Sequence, residues 1–458
     1  MQHAVVVGAG LKGIVAARRL VDRGCRVTLV DRAKRLGGVH SSIPWDGFSL
    51  DIGCHLFGNE DDATTALLLD LMGGEARPIT PAVASVLAGV RTDGIEYPDL
   101  TRLPDDRRGA VLAGVLERAA ERGDAPVPGI DPTRSLAAHL VDLFGASAAD
   151  VLGEVFAKML QAPPGELSAA AYSALPARRL KVTDDATAAL LKQVPAFDAV
   201  ILRSNADDPM RFLRDRASGF EARALYPTTG GMGGFAATAT ARLMEVGVEL
   251  TLEAEIASLA LHGQTTRLTL ADGRTFDADV LVWTSGWTPL ASALGEDAAS
   301  VSAAIRPVPM ALFYFDIPAG AAGTYHWVHD FDNDHRVFRA SVPSLFGPDT
   351  APDGRHYVCA EVPTAMDSAM FTDPAAQAEA IWAEVTALGV ATGPLPERVK
   401  TLTTPASYRF PARDFETAVA PVRTRAAAMP GLLVADEFNF GKSGSVREID
   451  QRLAGWEG

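Results

Sequence analysis

The chain has 458 residues, 48% of them hydrophobic and 22% charged, and a net charge of −15 at pH 7. That length exceeds one simple domain and fits two or three, and the acidic balance argues against a nucleic-acid partner, which needs clustered Lys and Arg. Three widely spaced cysteines, Cys25, Cys54 and Cys359, suit a reducing cytoplasm rather than a disulfide framework or a zinc site, and no uncharged apolar stretch reaches the roughly 18 residues of a membrane span.

Ala4 to Val7 reads as a buried strand that begins almost at once, leaving no room for a cleaved signal peptide. It runs into Gly8-Ala9-Gly10-Leu11-Lys12-Gly13, and Leu11 to Asp22 carries a helical pattern. A second apolar run, Cys25 to Val30, ends in Asp31, followed by Arg32. This is the spacing of a dinucleotide clamp. Gly8 allows the tight turn, Gly10 removes a side chain that would block a pyrophosphate, and Gly13 lets the helix press on the strand. The helix N-terminus faces the phosphates, and Asp31 accepts ribose hydroxyls. Arg35-Leu36-Gly37-Gly38 adds a second glycine turn.

Trp45 to Asp51 alternates like a strand and leads to Gly53-Cys54-His55-Leu56-Phe57. Arg134 to Leu160 is expected as a helical insertion that Pro163-Pro164 ends. Gly230-Gly231-Met232-Gly233-Gly234 precedes a helix over Phe235 to Val246. A strand over Gly247 to Leu252 follows, with Glu255 and Ile256 close behind, and Asp277 to Trp283 is another. A β-rich stretch comes next: Ala311 to Asp316, Arg336 to Val342 and Tyr357 to Val362. The chain closes with a strand over Gly431 to Asp436 and a helix over Ser443 to Arg452. His326, His329 and His335 are expected as solvated turn residues with no metal, and Cys54 as a small buried filler. Arg178, Arg179 and Lys181 form a candidate basic cluster on the insertion.

This order resembles the superfamily of flavin amine oxidases, protoporphyrinogen oxidases and phytoene desaturases across nearly the whole chain. The resemblance implies an α/β fold with a discontinuous, Rossmann-like FAD-binding domain of the GR2 type, at 1–75, 225–285 and 420–458. A substrate domain of β-sheet plus helical insertion would occupy 76–224 and 286–419. It implies FAD as cofactor, with Gly37 and Gly38 along the pyrophosphate and ribityl chain and Ile256 clamping the adenine through its backbone. Asp436 would lie near the ribityl chain, and the N–H groups of the Gly444-Ser445-Val446 turn would face the flavin. Cofactor contacts are therefore expected at Gly8, Gly10, Gly13, Asp31, Arg32, Gly37, Gly38, His55, Ile256, Asp436, Ser445 and Val446.

Some segments are similar to the branch containing UDP-galactopyranose mutase. Gly53-Cys54-His55-Leu56-Phe57 resembles a segment that places a His beside the flavin. Phe338-Arg339 resembles a strand that offers an Arg to the substrate, and Tyr408-Arg409-Phe410-Pro411 one that borders the same pocket. His55, Arg339 and Tyr408 are thus the implied catalytic residues, and the tandem Tyr segment of the mutase is replaced by Glu437-Phe438-Asn439-Phe440-Gly441. Two readings stay open. One is an FAD-dependent oxidoreductase that takes a hydride onto flavin N5 from a small polar metabolite such as a sugar or nucleotide sugar. The other is a mutase-like isomerase using reduced flavin N5 as a nucleophile without net redox change. A cytoplasmic location is expected, and a single dinucleotide fingerprint argues against a dedicated NAD(P)H domain.

Overall fold

A computed structural model describes residues 1–175, 179–203, 222 and 224–456. The chain separates into two compact units. Met1–Ile79, Arg216–Ile305 and Phe415–Gly458 form the first, and Thr80–Asp215 with Arg306–Asp414 the second. No helix among the described residues is long and apolar enough to cross a membrane.

The first unit is built on a five-stranded sheet in the order Glu249–Thr251, Arg26–Val30, His3–Val7, Val280–Trp283 and Leu432–Val434. All four pairings are parallel. Parallel strands are covered on both faces and so read as unbroken apolar runs; Ala4, Val5, Val6, Val280 and Leu281 are all fully buried. The helix Leu11–Asp22 buries Ile14, Val15, Ala16, Ala17 and Leu20, side chains worth about 1.5–3 kcal/mol each when large and fully buried. An antiparallel meander follows, Ile256–His262, Thr265–Leu270 and Thr275–Ala278. The single strand expected over Asp277 to Trp283 is therefore two, belonging to different sheets. The expected strand over Trp45 to Asp51 is also corrected: it is a hairpin, Ser42–Trp45 against Phe48–Asp51. Asp46 and Gly47 turn it with φ of 44° and 88°, the pair of positive φ values that Asp-Gly supplies in tight hairpins.

The second unit is built on a seven-stranded sheet: Val399–Pro411, Ile305–Pro318, Arg355–Pro363, Arg339–Ser341, Trp327–Asp330, Val83–Leu87 and Val90–Asp93. One face carries Ala84, Val86, Phe313, Val328, Ala340, Ala360 and Val362, packed on Ile381, Trp382 and Val385 of the helix Ala378–Ala387. The insertion contains the helices Asp105–Arg122, Leu136–Phe144 and Ala146–Leu160. The continuous helix expected over Arg134 to Leu160 is broken at Gly145, whose φ is 83°. A Cβ there would lie 2.9 Å from the Gly114 carbonyl oxygen, so glycine allows both the turn and the close approach of the helix Asp105–Arg122.

Candidate functional site

In the first unit the glycine turn is sterically specified. A Cβ on Gly13 would fall inside the carbonyl group of Gly8, so the helix can rest on the turn only with hydrogen at that position. A Cβ on Gly10 would meet nothing within 4 Å: the space beside it is open. The helix Leu11–Asp22 has no side-chain cap and no acidic residue in its first turn, which leaves its first amides and positive dipole end for an anion. Asp31 accepts the Ala9 amide at 2.5 Å and the Ala33 amide at 2.6 Å, one on each oxygen. A carboxylate has about four lone-pair sites, so ribose hydroxyls can still be accepted. The second glycine turn lies directly on the first, through a Gly10–Gly37 bridge and a Gly37 amide that donates to Ala9 O at 2.8 Å.

Behind this turn sits His40, which sequence reasoning did not single out. Its ring stacks on Phe57 and lies 5.1 Å from the ring of His55. Both ring nitrogens are buried with no hydrogen-bond partner among the described residues, as is the hydroxyl of Ser443. Burial, reinforced by the charge of Lys442, lowers the His40 pKa to about 3 and keeps it neutral. Open space at Gly10, uncapped amides beside it and unsatisfied buried polar atoms behind it fit a cradle made for a dinucleotide cofactor such as FAD.

Arg32 is exposed. The chain from Thr251 to Ala254 runs beside Asp31 and Ala33 through three backbone hydrogen bonds, and Ile256 opens the next strand. Asp436 is exposed, and its carboxylate accepts the Phe438 amide at 2.9 Å. The closing helix begins one residue earlier than expected and spans Lys442–Ala454. The Ser445 amide therefore donates to Gly441 O at 2.7 Å, and in α-helical geometry the amide of Val446 is likewise taken. The backbone donors of this terminus belong to Lys442, Ser443 and Gly444 instead. His55 is half-buried, with Nε2 2.9 Å from Ile52 O. Since a carbonyl can only accept, Nε2 carries hydrogen, and in the neutral ring Nδ1 is the accepting atom.

In the second unit, cross-strand register assembles a polar row. Ser85 stands opposite His329, His329 opposite Arg339, and Arg339 opposite Glu361. Directly paired residues share a sheet face, and this is the face turned away from the apolar cluster. The Arg339 guanidinium grips Glu361 with both prongs, Nε to Oε1 at 2.7 Å and Nη2 to Oε2 at 2.8 Å. Its fork is thus already engaged. His329 is not a solvated turn residue as expected but a buried strand residue. Burial, with Arg339 beside it, lowers its pKa to about 3. Its Nδ1, the hydroxyl of Ser85 and the indole N–H of Trp327 are buried without partners among the described residues. Glu361, Ser85 and His329 carry no local signal of this role. Tyr408 is half-buried in the strand Val399–Pro411, its ring 6.2 Å from Phe410.

Of the candidate basic cluster, Arg178 lies outside the described residues. Arg179 pairs with Asp198 at 3.2 Å, and Lys181 with Asp185. Asp330, Asp332 and His335 are spaced closely enough to hold a metal ion. Their ligand atoms are otherwise occupied: His335 Nδ1 and Asp330 Oδ2 lie 2.6 Å apart, and Asp332 accepts the Ala88 and Gly89 amides. Lys158 adds a buried ammonium 3.6 Å from Asp330. His326 lies half-buried in a bend, its Nδ1 accepting the Ala82 amide at 3.0 Å.

Residues 12–403 match the model of the family described as flavin containing amine oxidoreductase. Hydroxyneurosporene desaturase of Cereibacter sphaeroides is 28% identical over 399 residues, 78% of this chain and 71% of that protein. The neurosporene-forming phytoene desaturase of Rhodobacter capsulatus is 53% identical over only 53 residues, 12% of this chain and 10% of that protein. The chain thus matches a tenth of the length of that relative. Among solved structures, reduced UDP-galactopyranose mutase superposes with a TM-score of 0.71 at 17% identity, covering 99% of this chain and 94% of that one.

Proposed function

The chain belongs to the family of flavin containing amine oxidoreductases, and from that membership we propose that it oxidises a substrate bearing a polar or anionic group. It is an FAD-dependent enzyme. In this reading the first unit is the Rossmann-like, GR2-type FAD-binding domain, and the second recognises the substrate. The observation that carries the reading is the buried row of Ser85, His329, Arg339 and Glu361. A surface made only for hydrocarbon gains nothing from a buried ion pair and an imidazole, since buried polar groups cost free energy unless they are satisfied. Desaturation, named for two of the relatives, is a net two-electron oxidation and supports the redox direction.

When bound, the flavin supplies the hydride acceptor. The uncapped amides of the helix Leu11–Asp22 would hold its pyrophosphate and Asp31 its ribose. His55, half-buried with Nε2 2.9 Å from Ile52 O, is assigned to take a proton from an alcohol or amine substrate as hydride leaves. Arg339 and Glu361 offer a charged, planar surface, and Ser85, Trp327 and His329 offer further polar atoms to the substrate's polar group. Tyr408, in the strand Val399–Pro411 of the same unit, is assigned to the substrate as well.

The test is anaerobic mixing of oxidised enzyme with a nucleotide sugar, a sugar alcohol, a polyamine, a hydroxylated polyene and a hydrocarbon polyene, with the flavin spectrum recorded. Bleaching by a polar member is expected. Arg339→Lys should weaken that response while leaving FAD content normal, because the charge stays but the planar fork is lost. Bleaching by the hydrocarbon polyene alone would overturn the polar substrate. Turnover only after dithionite reduction, with no net bleaching, would overturn the oxidation.

A further inference from the structure

We propose that Lys12 and Glu448 form a clasp that holds the walls of the FAD cradle in their binding geometry, making them positioning residues for cofactor retention. Lys12 is the second residue of the helix Leu11–Asp22, inside the turn whose amides face the pyrophosphate. A lysine there would be expected to point at the phosphates. Instead its Nζ donates to Asp436 O and pairs with Glu448 Oε2 at 3.2 Å. Glu448 lies in the closing helix Lys442–Ala454 and gathers three more donors. These are the Asp436 amide at 2.5 Å, Asn439 Nδ2 at 3.1 Å and Arg452 Nε at 3.0 Å.

One ammonium–carboxylate pair therefore ties together the glycine turn, the turn at 436–439 after the last strand, and the closing helix. These are separate segments of the cofactor cradle, and residues 12 and 448 stand at opposite ends of the sequence. Both side chains are mostly buried, at 15% and 12% exposure, so the pair is screened less by salt than a surface pair. The arrangement meets a doubly charged pyrophosphate with neutral backbone donors and uses the cation to order the walls. Order present before binding is entropy that the cofactor need not remove.

The experiment measures FAD affinity of the apoprotein by quenching of flavin fluorescence, alongside apoprotein melting. The variants are Lys12→Met, Glu448→Gln, the double variant and Lys12→Arg. A hydrogen bond to a charged group is worth about 10- to 100-fold in affinity, so each neutralising single variant should weaken FAD binding by about that factor. The double variant should be no weaker than the worse single, since both break one clasp, and Lys12→Arg should stay near wild type. Fully additive losses, or wild-type affinity in both singles, would overturn the clasp. Tighter FAD binding in Glu448→Gln would overturn it too, by showing that Lys12 is a direct pyrophosphate ligand held back by Glu448. Where a neutralising variant does not fold, Lys12→Arg decides: an affinity loss of tenfold or more with an unchanged apoprotein melting temperature would refute a clasp that depends on charge.

Discussion

Arg339 sits in the second sheet with its side chain 15% exposed against a Glu361 that is 4% exposed, so removing either leaves a charge that water reaches poorly. Breaking such a pair costs about 3–5 kcal/mol, whereas replacing both partners by apolar groups of similar volume is often neutral or stabilising. Arg339→Ala and Glu361→Gln should each lower unfolding free energy by about that amount in urea titrations. The double variant Arg339→Met with Glu361→Leu should recover most of it and still lose the polar substrate. His329 gives a second test. Its folded pKa, about 3 through burial, lies below the ordinary value of about 6.5. The unfolded chain therefore binds a proton that the folded chain refuses, and stability contributed by the neutral ring falls as pH drops from about 6.5 toward 3. His329→Phe, which cannot take the proton, should reduce the slope of the melting temperature against pH across that window, leaving the share of His40, whose pKa is also lowered to about 3. An unchanged slope would mean that His329 is protonated in the fold.

Among the elements, the turn after the first strand separates a folding role from a binding role at neighbouring glycines. Gly13→Ala forces a methyl group into the Gly8 carbonyl and should destabilise the apoprotein itself. Gly10→Ala meets no protein atom within 4 Å, so apoprotein melting should stay near wild type while FAD affinity, read by fluorescence titration, falls. This unit was legible in the sequence because everything it needs is local: a strand, three glycines, a helix and an acid at fixed spacing. The hairpin around Asp46-Gly47 is equally local, but its alternation runs on from Trp45 to Asp51 across the turn dipeptide and so matches one strand. Gly145, likewise, was hidden by a helical pattern that continues in phase on both sides of it. The polar row was illegible for a different reason. Arg339 was visible through its resemblance to a strand in known relatives, but Glu361, His329 and Ser85 join it only through strand pairing, which for Ser85 and His329 spans 244 residues, and no spacing in the chain encodes that register. Lys12 and Glu448 share the same difficulty.

At the scale of the molecule, each unit has a core of its own: one around Val5, Leu281, Trp283 and Leu290, the other around Phe313, Val358 and Trp382. A ligand that binds only the folded form stabilises it by about 2.7 kcal/mol at 100 times its dissociation constant. With FAD at that excess, hydrogen exchange should slow in His3–Val7, Leu432–Val434 and Lys442–Ala454, and change little in Leu136–Phe144 and Ala146–Leu160. Equal slowing throughout would mean that the units open as one cooperative body.

The first unit is also assembled from three stretches of sequence, with Thr80–Asp215 and Arg306–Asp414 threaded between them. A ribosome delivers these stretches in order. When the chain has grown through residue 414, every segment of the second unit has been made, but the sheet that is to hold FAD still lacks Leu432–Val434 and the helix that clasps Lys12. Cofactor loading therefore waits for the closing helix, and the growing chain carries an unfinished nucleotide fold, with one bare edge of the strand Val280–Trp283, after the last segment of the second unit has been made. Chains displayed outside the ribosome through residue 414, by a C-terminal linker that fills the exit tunnel, should not retain FAD, and chains displayed the same way through residue 454 should.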